Sequence, residues 1–221
     1  MGTGRFVVLC LLLLGACSKE SGLDVHSCYE EYLCTSDGAI VRWNNAAITF
    51  SYEESAPEKL RIAVGDSANQ YNDTFEQTDL LIDENDNRAP AYTGDYASLN
   101  RDGVNGIYYV TETWPWTSKI PGSLAVTLTR YTAQGIAEAD IFIKADENLY
   151  GDDSPEASLP WITYITQHEL GHSLGRSHSK EPSSLMYPSI SKSKVVRLAG
   201  AEDFNNFFSE YDLELFALAY K

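Results

Sequence analysis

"HELGHSLGRSH", His168 to His178, holds three of the four histidines of the 221-residue chain, and the way this stretch folds decides how the rest is read. His168 and His172 stand four apart. On a helix that spacing puts two side chains on one face with β-carbons about 5–6 Å apart. Two imidazoles so placed can converge on one ion, since zinc takes histidine nitrogen at about 2.0–2.1 Å. Glu169 is turned about 100° from His168 around the axis, beside such an ion and not on it, where its carboxylate can serve as a base. Gly175 follows shortly after His172, and glycine readily takes the left-handed conformation that ends a helix and turns the chain. That turn can return His178 as a third ligand. Three neutral histidines leave a dication's charge uncompensated and its fourth position open, as in catalytic and not structural sites. Water bound there has a pKa near about 7, and Glu169 can take its proton as it attacks a carbonyl.

The complete pattern, HExxHxxGxxH, is the metzincin signature, and "SLMYP" downstream supplies Met186 at the distance expected of the Met-turn. Ser179 directly after the third histidine and the turn "SSLMYPSI" make the sequence resemble the matrixins, the matrix-metalloproteinase branch. "EADIFI" resembles that family's edge strand and "FSEYDLELFALAY" its closing helix, while "DGVNGIYYV" is similar to a stretch of bacterial matrixin-like proteins. The resemblance covers residues 43–221. It implies an α/β (α+β) zincin-like domain. Its upper lobe has a twisted, mostly parallel sheet with an antiparallel edge strand, and the active-site helix is one of two. A small lower lobe follows Gly175 and ends in a final helix. The implied activity is zinc-dependent endopeptidase action on proteins or peptides, with zinc on His168, His172 and His178 and Glu169 as base, then acid.

The resemblance also implies a substrate cleft. Ala139 and Ile141, in an edge strand over 139–143, would hold an extended substrate by backbone hydrogen bonds. Pro188 and Ile190 would line the pocket for the residue after the scissile bond. Tyr164 would sit at the pocket's base and keep it shallow, suited to small or medium apolar side chains; core packing is the other role open to it. Two departures from the family stand out. The loop that would hold a second, structural zinc contains no histidine, so a single catalytic zinc is expected. Asp140 matches a calcium-binding aspartate, but its partner loops are short, which leaves calcium open there. No room is seen for a full prodomain and no hemopexin-like domain follows, so the family's usual autoinhibition is not expected.

The first residues, "MGTGRFVVLCLLLLGACSKE", run from a basic residue, Arg5, through an apolar stretch over 6–14 to small residues before Cys17. That order is a secretory signal, and the apolar run is too short for a comfortable transmembrane helix. "LGAC" resembles the bacterial lipobox, which implies a signal peptide over 1–16, lipid on Cys17 and anchoring in the cell envelope. Ser18 after it favours the outer membrane; an ordinary secreted protein is the alternative. Cys10 falls in the leader, leaving Cys28 and Cys34, which in an oxidising compartment form a disulfide closing a small loop. The other role, a cysteine latency switch on the metal, lacks the "PRCGxPD" pattern. Residues 17–42 read as a tether, polar and without a period, with His26 an ordinary member of it.

A hydrophobic content of 43% with 22% charged residues is globular, and a formal charge of −16 from 32 acidic and 16 basic residues excludes a nucleic-acid footprint. The membrane is met through the lipid anchor alone, and the domain is expected to act as a monomer. Along the chain, "AAITFSY" alternates as a strand. A helix follows, with Ser55 and Glu58 as a capping box and Leu60, Val64, Ala68, Tyr71 and Phe75 on its stripe. Residues 79–105 read as loop. Within it the acidic run 83–87 lacks the glycine and closing glutamate of a calcium loop. Strands are predicted from Gly106, Ser123 and Glu138, with "WPW" at 114–116 packing at a sheet edge. Pro160 opens the metal helix, and Ser209 caps a last helix with Leu213, Phe216 and Tyr220 on one stripe. Two other readings compete: a non-catalytic metal-containing lipoprotein of the same fold, against which Glu169 argues, and a metzincin of another branch, which Ser179 disfavours.

Overall fold

The computed structural model describes residues 31–36, 38–44, 47–76, 78–83, 89–132, 134–145, 155–189, 191–200 and 206–220. The leader, Cys17, His26, Cys28 and Ile190 lie outside these residues, as does all but Asp83 of the acidic run 83–87. β1 (Ala47–Tyr52) forms where Ile48, Phe50 and Tyr52 alternate into the core. α1 (Glu58–Thr74) buries Leu60, Val64, Ala68 and Tyr71, the expected stripe. The capping box does not form. Pro57 is the N-cap, its carbonyl already accepting the N–H groups of Leu60 and Arg61, so the helix begins beyond the position that a Ser55 cap would set.

The stretch 79–105 is not all loop. It contains β2 (Asp79–Asp83) and the short helix α2 (Tyr96–Leu99), capped by the Asp95 carboxylate. β2 pairs with β1 alone and fully buries only Leu80, so it offers little hydrophobic period to read. β3 (Asn105–Val110), β4 (Ala125–Thr132) and β5 (Gly135–Lys144) complete a five-stranded sheet in the order β2-β1-β3-β5-β4. All neighbours are parallel except β4, which runs antiparallel to β5.

The antiparallel edge strand is present, but it is not the one expected. Residues 139–143 lie in β5, paired on one side with β3 and on the other with β4. Ala139 and Ile141 are 0% and 1% exposed, so neither can offer an edge to substrate. β4 holds the free edge. The physical reason is that β5 is buried on both faces: Ile141 and Ile143 lie in the core cluster with the helices, while Phe142 is buried on the opposite face with Glu138 and Asp140. A strand covered on both faces belongs inside the sheet. On that opposite face Tyr108, Val110, Val126, Leu128 and Phe142 are covered by Trp114 and Trp116, whose rings meet edge to face at 4.8 Å, so "WPW" packs as expected but on the face of the sheet and not at its edge.

α3 (Pro155–Ser173) lies against α1, with Ser67 Oγ 2.7 Å from Thr166 Oγ1 and the Tyr71 hydroxyl donating to Gln167 O at 3.0 Å. Pro160 is inside this helix and does not open it. Proline there forfeits one N–H bond to the preceding turn, and the packing of Trp161, Ile162 and Ile165 into the core carries the helix across it. A further helix, α4 (Lys192–Ala199), appears in the lower lobe with Val195 as its buried anchor. α5 (Glu210–Ala219) is capped by Ser209 as expected, in a reciprocal box with Asp212. Its buried side is Asp212, Leu215, Phe216 and Ala219; Leu213, expected on that side, is 40% exposed.

The segment expected as a tether joins the domain from Glu31 onward. Tyr32, Leu33 and Val41 are buried, and Leu33 N–H donates to Gly175 O while Ser177 N–H donates to Glu31 O. Tyr32 also bridges to Arg176, and its hydroxyl donates to Leu215 O. Backbone pairing to distant parts of the chain holds this segment, which is why no period marks it.

Candidate metal centre

The three histidines meet because one helix and one turn aim them. α3 presents His168, Glu169 and His172, and the chain leaves it through Gly175 at φ +89°, with Arg176 N–H bonded back to Gly171 O. A β-carbon on Gly175 would stand 2.3 Å from Val41 O, so both the backbone angle and the close approach require glycine. Beyond the turn Ser179 N–H donates to Met186 O, and His178 swings back. One ligand nitrogen from each of His168, His172 and His178 lies within 4.8 Å of the others, and this is the one cluster of three or more such residues among the described residues.

Their protonation fits a metal. His168 Nδ1 is 2.7 Å from Leu185 O and His172 Nδ1 is 2.7 Å from Arg176 O. A carbonyl only accepts, so each Nδ1 carries its hydrogen and each Nε2 is left with a lone pair. Burial, with the neighbouring His178 second, pushes His168 down to about 4. Burial also lowers His172, well below its ordinary value, and His178. All three are therefore neutral ligands near pH 7. The donor set suits zinc: three imidazoles and no protein carboxylate on the ion itself.

Glu169 is buried beside them at 6% exposure. Burial pushes its carboxyl up to about 7, opposed by a hydrogen bond from Thr127. Thr127 Oγ1 lies 2.6 Å from Glu169 Oε2 and 3.1 Å from Glu169 O. A carboxyl placed beside the histidines and not among them can take a proton from water and return it.

A second layer fixes the carbonyls that fix the histidines. The Asp212 carboxylate accepts from Leu185 N at 2.8 Å and Ser184 Oγ at 2.6 Å, which holds the residue bonded to His168. Arg176, 3% exposed, places Nη2 3.5 Å from Asp212 Oδ1 and 3.8 Å from Glu31 Oε2. Ser179 Oγ and the Tyr211 hydroxyl donate to Glu31 Oε1 at 3.2 and 2.8 Å. Met186 is buried under the helix, where a β-carbon on Gly171 would stand 2.4 Å from its Sδ.

A cavity of about 440 Å³ opens over the histidines, lined among others by Leu124, Ala125, Tyr164, Glu169 and Pro188. Tyr164 is buried, its hydroxyl donating to Leu185 O at 3.1 Å, so it both lines the cavity and braces the loop under His168. Asp140 lies away from the cavity lining on the far face of β5, fully buried, its oxygens accepting from Gly106 N at 2.8 Å and Asn100 Nδ2 at 3.0 Å. Thr127, Asp212, Arg176 and Glu31 escape sequence reading. The carbonyls of Leu185 and Arg176 have no signature at all, and a threonine in a strand looks the same whether or not it touches a carboxylate.

Comparison with known proteins places this geometry. The sequence pattern of the family described as Matrixin matches residues 35–209. A putative matrix metalloproteinase of Trichoplusia ni ascovirus 2c is 36% identical over 93 residues, 40% of this chain and 17% of the relative. Interstitial collagenase B of Mus musculus is 44% identical over 50 residues, 23% of this chain and 11% of the relative. Matrilysin of Rattus norvegicus is 44% identical over 43 residues, 20% of this chain and 16% of the relative. The matched stretches thus span less than a fifth of each relative's length.

Proposed function

Since the chain belongs to the matrixin family, we propose that it is a zinc endopeptidase that hydrolyses peptide bonds in extended protein or peptide substrates. The observation that carries this reading is the convergence of three neutral imidazoles next to a buried, uncoordinated carboxylate in an open cavity. His168, His172 and His178 would hold the metal through Nε2 of the first two and a ring nitrogen of the third. Zinc, when bound, supplies Lewis-acid chemistry, polarising a carbonyl and making water acidic near neutral pH.

The remaining work belongs to this chain's own residues. Glu169 takes the proton of the attacking water and returns it to the leaving amine. The free edge of β4 receives the substrate. Lys144 N–H donates to Leu124 O, so Leu124 faces β5, and by the alternation of an antiparallel pair the N–H and C=O of Ala125, which lines the cavity, point off the edge. An extended peptide can pair there with little demand on its sequence. Tyr164 and Pro188 bound the pocket for the residue after the scissile bond, which suits small or medium apolar side chains.

Export and lipid attachment at Cys17, with the domain held at the cell envelope as a monomer, complete the proposal; the order of the leader sequence supports the export and the anchor. A Cys28–Cys34 disulfide belongs to the same reading, supported by Cys34 having a disulfide partner. The test is to count zinc per chain and to compare cleavage of a peptide library by wild type and Glu169→Ala. The reading expects one zinc in both and cleavage reduced to a small residual rate in Glu169→Ala. Zinc bound without cleavage of any peptide would leave the non-catalytic lipoprotein as the better account.

A further inference from the structure

We propose, resting on the endopeptidase reading, that Thr127 is a positioning residue which ties the substrate-binding edge of β4 to the catalytic base. Thr127 is buried at 1% exposure, and its hydroxyl is the hydrogen-bond partner of Glu169 Oε2 at 2.6 Å. Glu169 Oε1 accepts no hydrogen bond among the described residues, and Glu169 lines the cavity. One oxygen is held and the other is left for the water.

The holder is itself rigid. Threonine is β-branched and stiff at χ1, and its backbone is set opposite Ile141 on the interior strand β5. Thr129, two residues on and on the same face, places its hydroxyl 3.3 Å from His172 O, so the strand is fastened to α3 at two points. Thr127 therefore links two tasks through one strand. Ala125, two residues before it, lines the cavity with its N–H and C=O off the edge, where an extended substrate would pair, while the Thr127 side chain stands on the face toward α3 and grips the base. A substrate registered on that edge is registered against Glu169, whose distance to the scissile carbonyl is then fixed by one strand and not by two independent elements.

The test compares the zinc-loaded wild type, Thr127→Val and Thr127→Ser in peptide cleavage, each also in the Glu169→Ala background. Valine keeps the shape and removes the hydroxyl. A hydrogen bond to a charged group supports a fall in kcat of about 10- to 100-fold for Thr127→Val, with KM and zinc content near wild type. Thr127→Ser should recover most of that loss, and Thr127→Val should slow Glu169→Ala no further. Unchanged kcat in Thr127→Val, failure of Thr127→Ser to recover it, or a full additional loss on top of Glu169→Ala would each overturn the proposal. Should wild type bind zinc and cleave nothing, the endopeptidase reading falls, and acetohydroxamate binding to the zinc-loaded chain then reads the grip on Glu169. Affinity weakened by Thr127→Val and restored by Thr127→Ser supports the grip; equal affinity in all three refutes it.

Discussion

Gly175→Ala tests the turn on which the third ligand depends. At φ +89° a non-glycine residue pays about 1–2 kcal/mol for the left-handed conformation alone. The new β-carbon would also stand 2.3 Å from Val41 O, so that backbone atom must retreat by about 1 Å to reach ordinary contact. Val41 cannot retreat freely: its N–H bonds Leu33 O, and Leu33 N–H bonds Gly175 O in turn. Overpacking of this kind costs about 1–3 kcal/mol, which brings the expected loss to about 2–5 kcal/mol. The control is Gly103→Ala, at φ +82° with nothing within 4 Å of its β-carbon. It carries the conformational cost without the clash, and the lower entropy of an unfolded alanine affects both variants alike. Urea unfolding of the metal-free chains should separate the two by about 1–3 kcal/mol, or about 2–4 °C per kcal/mol in Tm for a domain of this size. Gly175→Ala should in addition bind zinc more weakly, which Gly103→Ala should not. Equal destabilisation by the two would show that the approach of Val41 to the turn is not a constraint, and the account of how His178 is placed would fail.

Two further outcomes follow from the outer layer of the site and from the far face of the sheet. Asp212→Asn loosens Leu185 and leaves Arg176 with Glu31 as its remaining carboxylate within 4 Å; zinc affinity, read by chelator competition, should fall about 10- to 100-fold. Lower stability with unchanged zinc affinity would mean that this layer does not reach the metal. Asp140, pushed up to about 7 by burial, has a folded pKa above its unfolded value near 3.8. Its contribution is fully present below that lower value and is lost as pH rises through about 7. In chelator, wild type should therefore lose stability relative to Asp140→Asn across that window. Added calcium should flatten the slope if Asp140 is a ligand, and leave it unchanged if the buried hydrogen bonds to Gly106 and Asn100 are its whole role.

The metal helix was legible because ligand spacing and helix period are the same number: His168 and His172 had to share a face, and Gly175 had to turn. Four of the five strands were legible by alternation, since Ile107, Ile141 and Ile143 separate cleanly from Tyr108 and Phe142, while β2 was hidden in a stretch read as loop. Strand order was not. β4 and β5 are adjacent apolar runs, and which of them lies outside depends on β3 pairing with β5, a contact between distant residues. Leu213 shows the same limit at a helix: its sequence position allows a stripe, but the small lower lobe turns Asp212 and Leu215 inward instead. Around the metal, the histidines and Glu169 could be named from the chain, whereas the groups that orient them are backbone carbonyls and a strand threonine.

The contacts of Tyr32 bear on when the site is completed. Its hydroxyl reaches Leu215 across 183 residues of chain, and its neighbours Glu31 and Leu33 bond the loop at Gly175 and Ser177. Contacts so distant in sequence carry a large loop-closure cost and form late. This segment thus waits for α5, where Asp212 holds Leu185 and through it His168. A growing chain already contains all three ligands before it can hold them rigidly. Rigid convergence of the three histidines therefore waits for α5 to pack, a delay between having the residues of the cluster and having its geometry.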